Sequence, residues 1–277
     1  MDKPNLLSRQ EILSLIPQRK TDANKGDFGH ILIVGGDDGM GGSVVMAAES
    51  AYRAGAGRVT VLTHEKHFSA LISRLPSAMT KSADSTKELQ KIIQDKTVIA
   101  IGCGLGKSAW SKKMFEFFMK TDLPKVIDAD ALNLLSESKI KYDLQNAILT
   151  PHPGEAGRLL NCDTKWIQEN RELAIQKLQQ KYQANIVLKG SGSLVLITDQ
   201  KLYQCQFGNA GMAVAGMGDV LTGIIAGLVA QNISLNQAAI LGVNIHALAG
   251  DLVKEKQGEI GILPTDLIKQ IPTIIND

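Results

Sequence analysis

Short, continuous apolar runs alternate along this chain with longer segments of helical periodicity, and this alternation constrains the fold more than any other feature. The apolar runs lie at 31–34, 59–62, 98–101, 126–127, 147–149, 186–188 and 194–197. Helical patterns between or after them include 44–54, 110–119, 166–180, 220–230 and 237–253. Strands that are apolar on both faces are typical of parallel sheets covered by helices on both sides. The sequence therefore predicts an α/β fold built on a mostly parallel sheet.

Charge and cysteine content exclude several classes of function. The 277 residues include 30 Lys plus Arg and 28 Asp plus Glu, a formal net charge of +2. This balance argues against nucleic acid as a partner, because a nucleic-acid-binding protein normally shows a basic stripe. Cys103, Cys162 and Cys205 are far apart and lack ligand spacing, which argues against a disulfide scaffold or a zinc site and indicates a reducing cytoplasm.

Membrane association is not expected either. Residues 1–20 are charged and lack the apolar core of a signal peptide. The most apolar stretch, 220–230, is about half of the roughly 20 residues that a membrane-spanning helix needs, so we predict a buried helix there. Because internal repeats, low-complexity tracts and long linkers are absent from the sequence, we expect residues 1–277 to form one domain in a soluble, cytoplasmic protein.

Glycine clusters follow two of the predicted strands. Gly35 and Gly36 end the run at 31–34, and Gly102, Gly104 and Gly106 follow the run at 98–101. In open α/β sheets, ligands bind beyond the carboxyl ends of strands, where glycine lets the backbone approach them. The second cluster matches only half of a dinucleotide fingerprint, since position 107 is lysine, so the sequence offers little support for an oxidoreductase.

The most informative segment runs from 208 to 219 and reads GNAGMAVAGMGD. A glycine-rich loop leads directly into an apolar helix that begins near Asp219. The free N–H groups and the dipole at such a helix start suit phosphate, and a carboxylate there can activate a hydroxyl for attack on a phosphoryl group. Asn209, Gly216, Gly218 and Asp219 are the candidate residues. The alternative is that Asp219 only caps the helix and the glycines only shape the turn.

The segment TPHPGE at 150–155 follows the predicted strand at 147–149. Its two prolines stiffen the loop and restrict the positions of His152 and Glu155, which makes both residues candidate ligand contacts. The alternative is that Glu155 opens a helix over 156–160 and that His152 makes only loop hydrogen bonds.

Two further segments could bind ligand groups. In the first, Lys189, Gly190, Ser191, Gly192 and Ser193 form a turn between two predicted strands, whose exposed N–H groups and cation could hold nucleotide phosphates or ribose. A bare hairpin is the alternative.

The second, DADALN at 128–133, places two carboxylates and the amide of Asn133 at a strand end. These groups could order a metal or a hydroxyl, or simply cap the following helix.

Together these segments resemble the ADP/ATP-dependent NAD(P)H-hydrate dehydratases, a family of the ribokinase-like superfamily. In chain order the matching segments are KGDFG at 25–29, GG at 35–36, GG at 41–42, RAGAG at 53–57, GCG at 102–104, DADALN at 128–133, TPHPGE at 150–155, KGSG at 189–192, the loop at 208–219, and His246 with AGD at 249–251. They cover roughly residues 25–255 in the same order as in the family, so the joint match is far more specific than any single motif.

The resemblance implies a three-layer α-β-α fold and, as substrate, the S-hydrated nicotinamide ring of NADH or NADPH. ADP or ATP would phosphorylate the ring hydroxyl, phosphate loss would restore the reduced cofactor, and Mg²⁺ would neutralise phosphoryl charge. By the same resemblance, Asp219 is the base. The residues implied to contact the hydrated cofactor are Gly42, Gly104, His152 and Asp219. Those implied to hold the adenine nucleotide are Lys189, Gly190, Ser191, Gly192, Ser193 and Gly218.

The chain departs from the family pattern at two positions, and the resemblance also bears on partners. Gly42 stands where alanine is usual, which predicts a looser local backbone, and Met40 stands where an aromatic residue is frequent, which predicts altered packing around the nicotinamide. Relatives suggest a homotetramer. Since only about 25 residues precede the first motif, the epimerase domain that is fused in some relatives is not expected here, and an epimerase would be a separate protein.

Two other functions remain open from sequence. A ribokinase-like vitamin-precursor kinase, such as a hydroxyethylthiazole kinase, would share the glycine-rich loop and Asp219 but would release a stable phosphorylated product. A non-enzymatic nucleotide sensor would keep the phosphate loop and tolerate loss of Asp219. The segment at 150–155 favours the dehydratase. The sequence does not identify metal ligands.

Overall fold

The computed structural model describes residues 3–277, which form one nine-stranded sheet with helices on both faces. The strands are β1 His30–Val34, β2 Arg58–Leu62, β3 Met79–Lys81, β4 Val98–Ile101, β5 Lys125–Ile127, β6 Ala147–Leu149, β7 Asn185–Leu188, β8 Leu194–Leu196 and β9 Leu202–Gln204. Their order in the sheet is β3-β2-β1-β4-β5-β6-β7-β8-β9, with β1 to β7 parallel and β8 and β9 antiparallel. The predicted mostly parallel α/β sheet is confirmed.

Two strands were missed by the sequence pattern, and both lie at the sheet edges. Strand β3 has two exposed residues and one half-exposed residue, and only the first residue of β9 is buried. An edge strand pairs on one side only, so it lacks the continuous apolar run that marks the central strands.

Twelve helices flank the sheet within the described residues. They are α1 Arg9–Ser14, α2 Gly41–Arg53, α3 Phe68–Arg74, α4 Thr86–Ile93, α5 Ala109–Phe118, α6 Ala129–Glu137, α7 Pro153–Leu160, α8 Thr164–Glu169, α9 Arg171–Tyr182, α10 Met217–Ala230, α11 Leu235–Gln257 and α12 Pro264–Ile275. One buried core joins the sheet to α2, α10, α11 and α12, and a second core joins the opposite face to α4, α5, α6, α7 and α9. The three-layer arrangement is thereby confirmed.

The single helix predicted over 166–180 is wrong, because the segment forms α8 and α9. The break is at Asn170, whose backbone leaves the helical region with φ −132° and ψ 44°. Its side-chain amide donates to the Trp166 carbonyl oxygen at 3.0 Å. Asparagine readily exchanges backbone helical bonds for such local side-chain bonds, which explains the break.

Helix α10 is the central helix of its layer and carries the predicted phosphate loop at its N-terminus. It is buried over nearly its whole length and packs between α2 and α11. A Cβ built on Gly223 would lie 2.2 Å from the Ala47 carbonyl oxygen of α2, so only glycine permits this close approach of the two backbones. The close packing fixes the position of the helix start. No helix within residues 3–277 has the length and apolar content needed to cross a membrane.

The strand order creates a crevice between β1 and β4. From β1 the chain proceeds outward through β2 and β3, and then returns to place β4 on the other side of β1. Such a switch point leaves a crevice at the carboxyl ends of the two strands. The loops that follow these strands line it and contact each other, since the Asp37 N–H donates to the Gly104 carbonyl oxygen at 2.6 Å.

Candidate active site

Asp219 lies in the first turn of α10, beside the loop that follows β4. The helix begins at Met217 and its N-cap is Gly216, whose φ of +96° is a left-handed value that favours glycine. The Asp219 carboxylate forms hydrogen bonds with the side chains of Ser43 and Cys103. Burial and the nearby charge of Asp128 raise the pKa of Asp219 to about 6, although these hydrogen bonds and Lys189 oppose the rise. The carboxylate is therefore a stronger base than an ordinary aspartate.

A second carboxylate, Asp128, follows β5 and is 1% exposed. Its Oδ1 accepts hydrogen bonds from Thr150 at 2.8 Å and from the Lys189 ammonium at 2.6 Å. Its Oδ2 accepts one from Thr222 of α10 at 2.9 Å. Buried carboxylates are stable only when they are paired and hydrogen-bonded, and these three donors meet that requirement.

Lys189 follows β7 and provides the cation of the site. Its Nζ lies 2.6 Å from Asp128 and 3.8 Å from Glu155, and its side chain is 17% exposed. Burial disfavours the charged ammonium, but the two carboxylates outweigh it and raise the pKa of Lys189. Burial likewise raises the pKa of Glu155 to about 7, against the opposing charge of Lys189. The site thus combines one permanent cation with carboxylates whose proton affinity is increased.

The loop from Lys189 to Ser193 connects the antiparallel strands β7 and β8. Arg171, the first residue of α9, donates hydrogen bonds to the carbonyl oxygens of Leu188 at 3.1 Å and Gly192 at 3.4 Å. The Ser193 hydroxyl donates to the Gly190 carbonyl oxygen at 3.0 Å. The turn is therefore a hairpin, which was the alternative considered from sequence. Arg171 fixes this hairpin beside the start of α10.

His152 and Glu155 form the start of α7. The helix begins at Pro153, and His152 is its N-cap, with Nδ1 accepting from the Gly154 N–H at 3.0 Å. In turn, the Glu155 carboxylate accepts a hydrogen bond from the His152 backbone N–H at 2.7 Å. The helix weighed as an alternative from sequence is therefore present, but it begins at Pro153, before the predicted 156, and His152 caps it. Glu155 also reaches Lys189, so this capping box is joined to the charged cluster.

Gly42 and Gly104 lie at the crevice between β1 and β4. A Cβ built on Gly104, whose φ is +55°, would lie 2.8 Å from Cβ of Met40, so a larger residue would collide with the neighbouring loop. A Cβ built on Gly42, in the first turn of α2, would meet no atom within 4 Å. The space around Gly42 is open and accommodates the alanine that is usual at this position.

Comparison with known proteins assigns the chain. The profile of the NAD(P)H-hydrate dehydratase family matches residues 31–273, which include every element that forms the cluster described above. The chain belongs to this family. It is 48% identical over 271 residues to the bifunctional NAD(P)H-hydrate repair enzyme Nnr of Coxiella burnetii, covering 98% of this chain and 55% of that protein. The chain spans about half the length of the bifunctional relatives that it matches.

Two further relatives have lengths similar to that of this chain. The ADP-dependent (S)-NAD(P)H-hydrate dehydratase of Neisseria meningitidis serogroup B is 40% identical over 245 residues, covering 87% of this chain and 82% of that protein. The crystal structure of the ADP/ATP-dependent NAD(P)H-hydrate dehydratase from Bacillus subtilis, co-crystallized with ATP/Mg²⁺, matches with a TM-score of 0.88 at 25% identity, over 100% of this chain and 99% of that one. The ribokinase-like fold implied by the resemblance is confirmed.

Of the candidate residues predicted from sequence, the structure brings together Asp219, Gly218, Lys189 and Glu155. Asn133 and Asn209 bond elsewhere. The Asn133 side-chain oxygen accepts from Arg158 at 2.7 Å, and the Asn209 amide donates to Asp251 at 2.9 Å. These bonds hold α6 against α7 and fix the loop that precedes α10.

Several residues of the site were not identified from sequence. Thr150 and Thr222 donate to Asp128, and Ser43 and Cys103 bond Asp219. Thr150 and Cys103 lie within segments of the family pattern, and Ser43 and Thr222 lie shortly after such segments, but nothing in their own spacing marks them. Their roles arise from strand ends that are distant in sequence and adjacent in the sheet.

His246 of α11, which belongs to the family pattern, faces the start of α10. Its ring forms a hydrogen bond with the backbone of Met217, and burial lowers its pKa to about 4, so the imidazole is neutral at physiological pH. Its Nε2 is buried and has no hydrogen-bond partner among the described residues. Nε2 of the neutral His246 ring can therefore still form a hydrogen bond beside the start of α10.

The donor atoms of the site suit Mg²⁺ only in part. Ligand atoms of Cys103, Asp128 and Asp219 lie within 4.8 Å of one another. Mg²⁺ prefers oxygen ligands in octahedral geometry and rarely binds thiols. Both Asp128 oxygens already accept hydrogen bonds within the protein, and the third candidate, Cys103, offers a thiol. The cluster fits a cation held mainly by phosphate oxygens and water, not an all-protein cage.

Proposed function

We propose that this protein dehydrates S-hydrated NADH and NADPH to the reduced cofactors, with ADP or ATP as phosphoryl donor and AMP or ADP as product. The observation that carries the proposal is the position of Asp219. A base whose pKa is raised to about 6 stands in the first turn of a helix whose N-terminus suits phosphate. Lys189 provides a buried cation on the adjacent strand end.

The nucleotide lies at the start of α10 in this proposal. Its phosphates accept hydrogen bonds from the N–H groups near Gly218, and Lys189 attracts their charge. The loop that Arg171 holds, from Gly190 to Ser193, contacts the remainder of the nucleotide. The cluster therefore presents the terminal phosphoryl group to a hydroxyl on the side of Asp219.

The hydrated nicotinamide ring occupies the crevice at Gly42 and Gly104, with His152 at its side, in this proposal. Asp219 takes the proton of the ring hydroxyl, whose oxygen then attacks the terminal phosphoryl group. The phosphorylated oxygen leaves as inorganic phosphate, a far better leaving group than hydroxide. Loss of a proton from the neighbouring ring carbon restores the double bond of the reduced cofactor.

Mg²⁺ is part of the proposal. When bound with the nucleotide, it would neutralise phosphoryl charge during transfer. Phosphate oxygens and water would supply most of its ligands, because both oxygens of Asp128 already accept hydrogen bonds within the protein and Asp219 has to remain free to act as the base. Lys189 would supply a second positive charge to the phosphate.

Membership of the family favours dehydration over the vitamin-precursor kinase that sequence left open. The proposal also includes a cytoplasmic, homotetrameric protein whose partners are small molecules. Because the proposed substrate is the S hydrate alone, an epimerase activity must convert the R hydrate before it can react. Sedimentation analysis of the purified protein tests the tetramer.

The experiment measures reduced-nicotinamide absorbance after S-hydrated NADH is mixed with the protein, Mg²⁺ and ADP or ATP. We expect NADH to reappear only when a nucleotide is present. A parallel reaction supplies the thiazole alcohol and ATP. Consumption of ATP with that alcohol, while the hydrate persists under both nucleotides, would show a kinase. Nucleotide binding without any turnover would show a sensor.

A further inference from the structure

Asp128 occupies the N-cap position of α6, yet its side chain does not cap that helix. The next residue, Ala129, has a φ of +46°, a left-handed value that residues with a Cβ rarely adopt. A Cβ built on Gly102 would lie 1.8 Å from the Asp128 carbonyl oxygen, so only glycine fits against this backbone. Strained backbone persists where the surrounding structure requires it, often at functional sites. Here the strained backbone at Ala129 follows Asp128, whose carboxylate is directed toward the ends of the neighbouring strands.

The partners of that carboxylate come from three different elements. Thr150 follows β6, Lys189 follows β7, and Thr222 belongs to α10. Thr222 stands three residues after Asp219, so the two side chains lie on the same face of the helix. Asp128 therefore connects the cation of the site to α10, one turn beyond the base.

We propose that Asp128 is a positioning residue of the reaction, holding the Lys189 ammonium and the N-terminal part of α10 at a fixed separation so that cation and base face the same phosphoryl group. This inference rests on the proposed function. Asp128 touches neither substrate in this role and acts through Lys189 and Thr222. Misplacement of reacting groups by about 1 Å can lower a rate by about 100-fold, so a group that fixes their separation affects turnover strongly.

The test is Asp128→Asn in the full chain. Asparagine retains an oxygen that can accept a hydrogen bond, but it loses the charge that holds Lys189. The lysine keeps Glu155 at 3.8 Å and is free to pair with phosphate, so binding of ADP does not require Asp128. We expect kcat for the hydrate to fall about 100-fold, while the ADP dissociation constant measured by calorimetry stays within about threefold of wild type.

Two results would overturn the inference. A kcat within about threefold of wild type would show that Asp128 does not position the site. A kcat loss matched by an equal loss of ADP affinity, in a variant that unfolds at the wild-type temperature, would show a binding role instead. The wild-type protein is assayed in parallel. If the wild-type protein is inactive, the proposed function is contradicted. If the wild-type protein is active and Asp128→Asn is equally active, only the role of Asp128 is contradicted.

If Asp128→Asn does not fold, variants that preserve every charge of the site test the same inference. Thr150→Val combined with Thr222→Val removes both hydroxyl donors to Asp128 and leaves every charge in place. We expect an approximately tenfold lower kcat with unchanged ADP affinity. Thr121→Val is the matched control, because the Thr121 hydroxyl donates to the Phe118 carbonyl oxygen away from the site. Equal activity of the double variant and this control would refute the positioning role.

Discussion

A Cβ atom built on Gly218 would lie 3.3 Å from Nζ of Lys189, closer than most Cβ contacts in proteins. The glycine at the start of α10 and the cation that follows β7 therefore share one small space. In the proposed reaction the terminal phosphate enters that space, where backbone N–H groups and the ammonium both reach it. The first prediction concerns what happens when a side chain occupies it.

We expect Gly218→Val to weaken ADP and ATP binding more than tenfold, because the branched side chain would displace Lys189 and block the approach of phosphate to the backbone. Calorimetric titration gives the dissociation constants. Ala70→Val, at an exposed position of α3 away from the site, is the control and should bind as wild type does. An unchanged dissociation constant in Gly218→Val would place the phosphates elsewhere.

The second prediction is that Asp219→Asn lowers kcat by about two to four orders of magnitude, because the amide cannot accept the proton of the ring hydroxyl. Nucleotide affinity, measured by calorimetry, should remain within a few-fold of wild type. Asp199→Asn removes an exposed carboxylate in the turn after β8 and should retain full activity. Activity of Asp219→Asn within a few-fold of wild type would exclude a role as base.

The third prediction concerns pH. A general base acts only when it is deprotonated, and the pKa of Asp219 is raised to about 6. The value of kcat/KM should therefore decline as pH falls through about 6 and stay level just above it. Because burial and Asp128, not Glu155, are the main causes of the raised pKa, Glu155→Gln should retain this inflection. An inflection near pH 4 would mean that the base is an unperturbed carboxylate.

The fourth prediction concerns stability. A carboxylic acid whose folded pKa of about 6 exceeds its unfolded value of 3.8 opposes folding when it is ionised. The penalty is fully present above pH 6 and disappears as pH falls below the unfolded value. Asp219→Asn should accordingly raise the free energy of unfolding by up to about 3 kcal/mol at pH 8, with about half of that gain at pH 5. Urea denaturation at both pH values measures the difference. A variant less stable than wild type at pH 8 would contradict the raised pKa.

Much of this fold could be predicted from the sequence, because the central strands are buried on both faces and read as continuous apolar runs. The edge strands β3 and β9 were not predicted, because their exposed residues interrupt the continuous apolar run. The loop before α10 was evident from its glycines. The donors to Asp128 were not, because Thr150, Lys189 and Thr222 meet only when the strand ends and α10 assemble. Sequence suggested that Asp128 could cap α6, whereas its side chain joins three other elements.

The central claim is that the hydroxyl oxygen of the hydrate is phosphorylated before it leaves. We propose to prepare S-hydrated NADH with ¹⁸O in the ring hydroxyl and to let the protein convert it with Mg²⁺ and unlabelled ADP. Phosphorylation at that oxygen retains it in the departing phosphate, so mass spectrometry of the released inorganic phosphate should show one ¹⁸O atom per NADH formed. Label found in water, with unlabelled phosphate, would contradict the account, because the hydroxyl would then have left without being phosphorylated.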